Sequence, residues 1–277
     1  MKLNVFVSNF LRNFPSLHSA IKQFYTKRLL MKPPATHPAG FQLLGSAAMQ
    51  NGTFEPDETK QISDLLQSCD ILVNVGANIG YYVCIARALG KSVVAVEPLD
   101  RNIQLLKQNI ANNNWLDVEV LPIGLGDRES LQKIYGGGTA ASLVPGWAGA
   151  NRETYELVPV STLDNVLSDR FANRQILILI DVEGFELNVI KGAIRQLGRH
   201  PRPIWFIEVC IDEHQPAGTD LNPDLEEVFE LFWKHGYSAQ KAGCETGIVS
   251  REDLKAWAKG QLLPKTHNFI FRTENTY

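Results

Sequence analysis

The chain has 277 residues, of which 44% are hydrophobic, and a formal net charge of −3. This length is typical of one large domain, or of one domain with an arm. The slight negative charge excludes a general basic surface, so we expect no nucleic-acid partner. The four cysteines are far apart in the sequence, which predicts neither a disulfide framework nor a cysteine-ligated metal site.

The N-terminal region differs in charge from the rest of the chain. The first 54 residues contain six Lys and Arg residues and no Asp or Glu. We predict a basic, partly helical arm over residues 1–45, which contacts an acidic surface or membrane headgroups or packs on the domain as a solvated helix. The main domain then covers residues 46–277. The apolar residues of the arm are too interrupted for a membrane span or a signal peptide, so we expect a reduced, cytoplasmic protein.

The strongest pattern follows a predicted helix over residues 57–68. Residues 71–75 are apolar and rich in β-branched side chains, which predicts a strand buried on both faces. A glycine turn, a helix over residues 81–89 and a second buried strand over residues 92–96 come next, and this strand ends on Glu97. A ligand above such a turn meets the free N–H groups of the helix, and a carboxylate in the place of Glu97 accepts both hydroxyls of a ribose. The order therefore predicts a nucleoside cofactor site.

The turn itself narrows the type of cofactor. It is not a G-x-G-x-x-G sequence, because Ala77, Asn78 and Ile79 separate its two glycines. This disfavours a dinucleotide, whose pyrophosphate needs the closest backbone approach, and favours a cofactor without phosphates, such as S-adenosylmethionine. The alternative is a glycine turn that binds no ligand. The predicted cofactor-binding residues of this stretch are Asn74, Gly76, Ala77, Asn78, Gly80 and Glu97.

The next part of the chain is less regular. A helix over residues 100–113, capped by Asp100, and a third strand over residues 117–121 precede Asp127. Asp127 is predicted to accept the amino group of adenine, or alternatively to cap a turn. Two strands, over residues 131–135 and 156–160, flank an uncharged, glycine-rich stretch, which we expect to be a mobile lid over the substrate.

Acidic residues follow the later strands. Residues 175–180 (QILILI) predict a fully buried strand that ends at Asp181, with a single helix continuing to Leu197. A strand over residues 203–209 ends around Glu208, and His214 lies in the loop behind it. Ligands of open α/β sheets bind at the carboxyl ends of the strands, so we expect these side chains around one crevice. The alternative for Asp181 is that it stabilises the start of the following helix. A helix over 225–235 and two late strands, over 237–242 and 268–272, suit an antiparallel addition to the sheet edge.

From about residue 52 to residue 242 the chain resembles the FkbM-like methyltransferases. The resemblance rests on an ordered set of motifs: VGANIGY from Val75, VEP from Val96, GD at Gly126, ASL from Ala141, VPV with TLD from Val158, and IDVEG from Ile180 with Glu186. It implies the class I methyltransferase Rossmann-like fold, an α/β sheet that is mostly parallel with an antiparallel last strand, seven strands in all, and helices on both faces. It also implies S-adenosylmethionine as cofactor and O-methylation of a hydroxyl on a small molecule or sugar. The family usually has aspartate where this chain has Asn74.

Methyl transfer to an alcohol needs alignment of the acceptor oxygen and a base. The candidate catalytic residues are Asp181, Glu208 and His214, and Asp181 is also a candidate cofactor contact. We predict no metal ion, although Asp181 and Glu208 offer the oxygen ligands that divalent cations take. Two other functions stay open on the sequence: a catalytically silent module that binds an adenosyl ligand, favoured by Asn74, and an NAD-dependent oxidoreductase.

Overall fold

The computed structural model describes residues 28–243 and 247–273 of the chain. Its strands are β1 (Ala35–Thr36), β2 (Gln42–Leu43), β3 (Ile71–Val75), β4 (Ser92–Val96), β5 (Val118–Leu121), β6 (Gly124–Leu125), β7 (Ser130–Tyr135), β8 (Tyr155–Ser161), β9 (Ile176–Ile180), β10 (Ile204–Glu208), β11 (Ser238–Lys241), β12 (Gly247–Ile248) and β13 (Asn268–Arg272). Its helices are α1 (Ala47–Asn51), α2 (Pro56–Gln67), α3 (Tyr81–Ala88), α4 (Asp100–Asn112), α5 (Leu163–Leu167), α6 (Glu186–Lys191), α7 (Ile194–Gly198), α8 (Leu225–Lys234) and α9 (Arg251–Trp257).

The central sheet has the strand order β12-β11-β13-β10-β9-β3-β4-β5 within the described ranges. Strands β10, β9, β3, β4 and β5 are parallel, and in β3 Val73 lies opposite Val94 on one side and Ile178 on the other. The last strand, β13, is antiparallel to both β10 and β11. The predicted class I methyltransferase architecture is therefore confirmed. The sheet has eight strands rather than seven, because β12 pairs with β11, and two residues are too few to give a sequence pattern.

Helices cover both faces of this sheet, as predicted. Side chains alternate between the faces along a strand. On one face Val73 and Ile178 pack in a core with residues of α5, α6, α7, α8 and α9. On the other face Leu72 and Leu177 pack with residues of α2, α3 and α4. Strands β3 and β9 are buried along their whole length, which explains why their sequences carry apolar residues at consecutive positions.

The predicted helix between Asp181 and Leu197 is interrupted. The chain forms α6, breaks at Gly192 and Ala193, and continues as α7. A Cβ atom at Gly192 would lie 1.9 Å from the carbonyl oxygen of Gly126, and the Gly192 carbonyl accepts a hydrogen bond from the N–H of Asp164. The N–H groups of Arg195 and Gln196 donate to the carboxylate of Asp164 instead of to carbonyls one turn back, so the helical ladder is broken here. Helix α4 also differs slightly, since Asp100 is its first residue and Leu99 stands at the cap position.

Residues 124–161 add a small sheet with the order β6-β8-β7 beside the carboxyl ends of the main strands. The predicted strands appear as β7 and β8, which pair antiparallel along their length. The glycine-rich stretch between them leaves at Tyr135 and returns at Ser142, where two backbone hydrogen bonds of 2.8 and 3.1 Å join the ends. The short helix α5 begins with the predicted cap, because the Thr162 hydroxyl accepts from the N–H of Asn165.

The N-terminal segment joins the domain before the predicted boundary at residue 45. Strands β1 and β2 pair antiparallel, and Phe41, Leu43 and Leu44 are buried. Residues 35–45, which the sequence assigned to the arm, therefore pack on the domain. Residues 1–27 of the predicted basic arm lie outside the described residues. None of the helices within the described ranges is both long and apolar enough to cross a membrane.

Candidate cofactor and active site

A cavity opens at the carboxyl ends of β3, β4 and β9, where the sequence predicts the ligand site. It encloses about 570 Å³ of empty space, part of which is open to solvent. Four predicted residues line it: Gly76, Asn78, Glu97 and Asp181. The short stretch from Ile123 to Leu125 and the glycine-rich segment also contribute to its wall. The topology thus brings the end of β4 and the acid after β9 into one cavity.

Glu97 is the best-fixed side chain of this cavity. It is 4% exposed, and its two carboxylate oxygens accept N–H groups from both sides of the site. The N–H of Asn78 donates to Oε2 at 2.9 Å, and the N–H of Leu99 donates to Oε1 at 2.9 Å. Burial raises the pKa of Glu97 and these hydrogen bonds lower it. The side-chain amide of Asn102 also donates to Oε1, at 3.2 Å, so the lone pair left for a ligand hydroxyl is on Oε2.

The two glycines of the turn are required by packing of the chain itself. Gly76 has φ +81°, and a Cβ atom there would lie 1.8 Å from the carbonyl oxygen of Asp181. Gly80 has φ +88°, and a Cβ atom there would lie 2.4 Å from a methyl carbon of Leu106 in α4. The sequence explained both glycines by close approach of a ligand. In the structure Gly76 lines the cavity, whereas Gly80 packs against α4.

Three other predicted cofactor residues are not among those that line the cavity. Asn74 is 2% exposed at the second-last position of β3, between Ala95 and Leu179 on the neighbouring strands. Ala77 is buried below the turn, where its N–H donates to the carbonyl of Val96. Asp127 lies beyond β6 and forms an ion pair with Arg128 at 3.3 Å. The chain runs through Gly124 and Leu125 at the cavity wall and has left it before Asp127.

Asp181 and Glu208 face each other at the ends of β9 and β10. Glu208 shares a hydrogen bond with Asp181, and the thiol of Cys210 lies 3.6 Å from its carboxylate. Burial and the repulsion of Glu208 raise the pKa of Asp181 well above its usual range. Burial, together with Glu183 and Glu55, raises the pKa of Glu208 to about 7. Two adjacent carboxyl groups with raised pKa values hold a proton between them near neutral pH.

His214 is exposed and is not among the residues that line the cavity. Its ring lies 6.2 Å from that of Trp147, and its carbonyl accepts the N–H of Ala148. Its charge, when present, lowers the pKa of Glu183. His214 therefore lies near a group of acidic residues, Asp181, Glu183, Glu186 and Glu208, which we call the acidic edge. The structure does not bring His214 to the cavity wall.

Glu183 lines the cavity, and the sequence marked it only as part of the IDVEG motif. It has φ +56°, a strained value for a residue other than glycine, and two contacts from the small sheet hold it there. The Trp147 indole N–H donates to its carboxylate at 2.7 Å, and the Ser142 hydroxyl donates to its carbonyl at 2.5 Å. The indole also lies against Gly184, where a Cβ atom would be 2.4 Å from the ring. In the sequence, only the ASL and IDVEG motifs together point to the contact between Ser142 and Glu183.

Sequence reasoning missed Glu55 and Tyr82 entirely. The Tyr82 hydroxyl donates to the carboxylate of Glu55 at 2.6 Å. The negative charge of Glu55 contributes to the raised pKa values of Asp181 and Glu208, so the pair adjoins the acidic edge. Glu55 precedes α2 and Tyr82 lies in α3, and neither is at the carboxyl end of a strand. No local pattern marks them. Within the described ranges, no group of three or more His, Cys, Asp or Glu side chains has a geometry that could hold a metal ion.

A family model, the methyltransferase FkbM domain, matches residues 74–239. No curated protein sequence matches the chain. Among solved structures it is similar to an O-methyltransferase from Bacillus cereus in complex with SAH, at 15% identity and a TM-score of 0.45, over 81% of this chain and 84% of that chain. It is also similar to a ribosomal protein L11 methylase from Lactobacillus delbrueckii subsp. bulgaricus, at 11% identity and a TM-score of 0.39, over 78% of this chain and 79% of that chain.

The TM-scores are below 0.5, so the assignment depends on the family match, which covers more than half of the chain. That match includes the glycine turn, Glu97 and the acids after β9 and β10. It confirms the resemblance and the predicted cofactor, S-adenosylmethionine. The chain belongs to the family of FkbM methyltransferases.

Proposed function

We propose that the protein transfers the methyl group of S-adenosylmethionine to a hydroxyl oxygen of a small molecule or sugar. The observation that carries the proposal is that Glu97 and the acidic groups of Asp181 and Glu183 line the same cavity. A ribose-binding carboxylate and groups that can take up a proton are thereby available to one bound pair of reactants. The acceptor itself is identified only by class.

The residues of the cavity fit the cofactor. S-adenosylmethionine supplies an electrophilic methyl group on a positively charged sulfur, and its amino-acid part carries an ammonium group. Glu97, already held by the N–H groups of Asn78 and Leu99 and by the side-chain amide of Asn102, would accept a ribose hydroxyl on the remaining lone pair of Oε2. Acidic side chains near the cavity favour a ligand of net positive charge.

The acid pair at the ends of β9 and β10 would handle the acceptor proton. Asp181 lines the cavity, and Glu208 lies behind it with a pKa of about 7. A base with a pKa near the working pH is the most effective kind. In this proposal the acceptor hydroxyl would donate to Asp181 and the acid pair would take up its proton, while S-adenosylmethionine would supply the methyl group. Asp181 would also orient the hydroxyl.

Two other functions are weaker on the structure. The silent-module alternative rested on Asn74, which is buried in β3 and is not among the residues that line the cavity. An NAD-dependent oxidoreductase would need a pyrophosphate over the turn. The family match argues for a methyltransferase instead.

The first experiment is calorimetric titration of the full chain with S-adenosylmethionine, S-adenosylhomocysteine and NAD. We expect binding of both adenosyl ligands and none of NAD. Glu97→Gln removes the charge but keeps one acceptor oxygen for the loop, and it should weaken adenosyl binding about tenfold or more, as loss of a charged hydrogen bond does. Asp127→Ala is the matched control and should bind like the wild type, because Asp127 is outside the cavity wall. Binding of NAD alone would contradict the proposal.

A second measurement tests the reaction. Isotope-labelled methyl groups of S-adenosylmethionine are followed into a panel of hydroxylated compounds, and incorporation is compared between wild type and Asp181→Asn. We expect the variant to bind S-adenosylhomocysteine but to lose transfer. No transfer by the wild type to any panel member, despite tight adenosyl binding, would support the silent-module alternative.

A further inference from the structure

The glycine-rich segment (residues 136–141) forms part of the cavity wall. Its ends are joined by the hydrogen bonds between Tyr135 and Ser142. Between these ends, Gly138, Thr139 and Ala141 line the cavity across from Glu97. The base of the segment is therefore fixed to the small sheet, while its tip lines the cavity that Glu97 also lines.

The tip packs against the guanidinium group of Arg101, in the first turn of α4. A Cβ atom at Gly137 would lie 2.4 Å from Nη2 and 2.7 Å from Cζ of Arg101. The guanidinium thus occupies the space that any other residue at position 137 would fill. Burial lowers the pKa of Arg101, and the charges of Glu156 and Glu97 act in the opposite direction, so the guanidinium is within electrostatic reach of the ribose-binding carboxylate.

The guanidinium is incompletely paired. Its Nε and Nη2 atoms are buried and have no hydrogen-bond partner. A buried donor without an acceptor is costly, so an arrangement that supplies acceptors to both groups is favoured. Arg101 is not among the residues that line the cavity. The backbone of the segment is adjacent to its guanidinium and carries carbonyl oxygens.

We propose that Arg101 is a positioning residue of the cofactor site, whose guanidinium holds the glycine-rich segment over the bound adenosyl group. The inference depends on the proposed use of S-adenosylmethionine. When the cofactor fills the cavity below Thr139, the segment settles on it and its carbonyls accept from Nε and Nη2 of Arg101. Gly137 is needed so that the guanidinium can approach the backbone this closely.

The test uses S-adenosylhomocysteine as the probe and the full chain as the protein. Calorimetry gives its dissociation constant, and hydrogen exchange followed by mass spectrometry gives the protection of residues 136–143 with and without the probe. Arg101→Ala should raise the dissociation constant about tenfold, as expected for the loss of one or two hydrogen bonds, and abolish the probe-induced protection. Arg128→Ala, which removes an exposed arginine, is the control and should change neither quantity.

A purely structural role of Arg101 makes a different prediction. It would lower the thermal midpoint of the free protein, whereas removing an incompletely paired buried charge should leave that midpoint within about 2 °C or raise it. Gly137→Ala adds a second line of evidence. Its backbone is extended, with φ 167°, so alanine is tolerated there and acts only by displacing the guanidinium. The double variant should therefore bind no more weakly than either single variant.

The outcomes separate the two proposals. If the wild type does not bind S-adenosylhomocysteine, the proposed function fails. If the wild type binds and Arg101→Ala binds equally well with equal protection, the role of Arg101 is overturned and the proposed function stands. Additive losses of affinity in the double variant would also overturn the proposed role of Arg101, because Gly137 and Arg101 would then act separately.

Discussion

Glu186 shows how the acidic edge affects stability at the scale of one residue. It is the first residue of α6 and is 3% exposed, and its Oε1 accepts the N–H of Gly184 at 2.9 Å. Burial raises its pKa to about 8, against 4.5 for an ordinary glutamate. Between these two values the folded protein holds a proton that the unfolded chain has released. Folding stability therefore falls as the pH rises through this window.

We predict that Glu186→Gln flattens this dependence. Glutamine stays neutral and keeps an oxygen for the N–H of Gly184. Urea denaturation at several pH values from 5 to 8.5 should show the wild type losing more free energy of unfolding than the variant, by a difference on the order of a few kcal/mol. Asp181 and Glu208 also have raised pKa values, so some loss persists in the variant.

The control for this experiment is Asp253, whose pKa is shifted in the opposite direction to that of Glu186. Asp253 caps α9, and its hydrogen bonds with Ser250 lower its pKa. Its contribution is present above the pKa of the unfolded chain and is lost on acidification, so Asp253→Asn should change stability by a constant amount between pH 5 and 8.5. Equal slopes for wild type and Glu186→Gln would show that Glu186 is not the proton-holding group.

At the scale of elements, the sequence predicted the strands of the central sheet better than the helices that cover it. Residues 71–75 are apolar except for Asn74, and residues 176–180 are apolar throughout, because both faces of these strands are covered. The break at Gly192 was not predictable, since it depends on Asp164 of α5, whose N–H and carboxylate bond the backbone of this stretch. The residues of the site differ in the same way. Glu97 and Asp181 lie at the ends of predicted strands, whereas Glu55 precedes α2 and Tyr82 belongs to α3.

The contact between the small sheet and the turn after β9 gives a prediction at this scale. Trp147→Phe keeps a ring against Gly184 but leaves the Glu183 carboxylate without the indole N–H. Loss of a hydrogen bond to a charged group should lower the free energy of unfolding by about 1.5–3 kcal/mol. Denaturation in urea near pH 7.5 measures this. Trp233→Phe, in α8 on the other side of the protein chain's core, is the control, and an equal loss in both would mean that ring volume alone is responsible.

At the scale of the whole molecule, the segment before α1 is continuous with the domain. Beside the buried side chains of Phe41, Leu43 and Leu44, the Asn109 side chain exchanges hydrogen bonds of 2.7 and 3.0 Å with the backbone of Leu44. Asn113 does the same with Gln42 at 2.7 Å in both directions. The sequence placed a boundary at residue 45 from proline and charge content alone, and neither reports the packing of a short hairpin.

Two truncations would locate the boundary. A chain of residues 28–277 should keep the thermal midpoint and the S-adenosylhomocysteine affinity of the full protein, because the cavity and both faces of the sheet are built from later residues. A chain of residues 46–277 removes three large buried side chains, each contributing about 1.5–3 kcal/mol, and removes both hydrogen bonds between Asn109 and Leu44. It should lose on the order of 5 kcal/mol or more of stability and in practice fail to fold. Equal midpoints of the two truncated chains, measured by circular dichroism, would instead place the boundary at residue 45. Binding of vesicles rich in anionic lipid by the full chain but not by residues 28–277 would assign the acidic-surface contact to the basic arm.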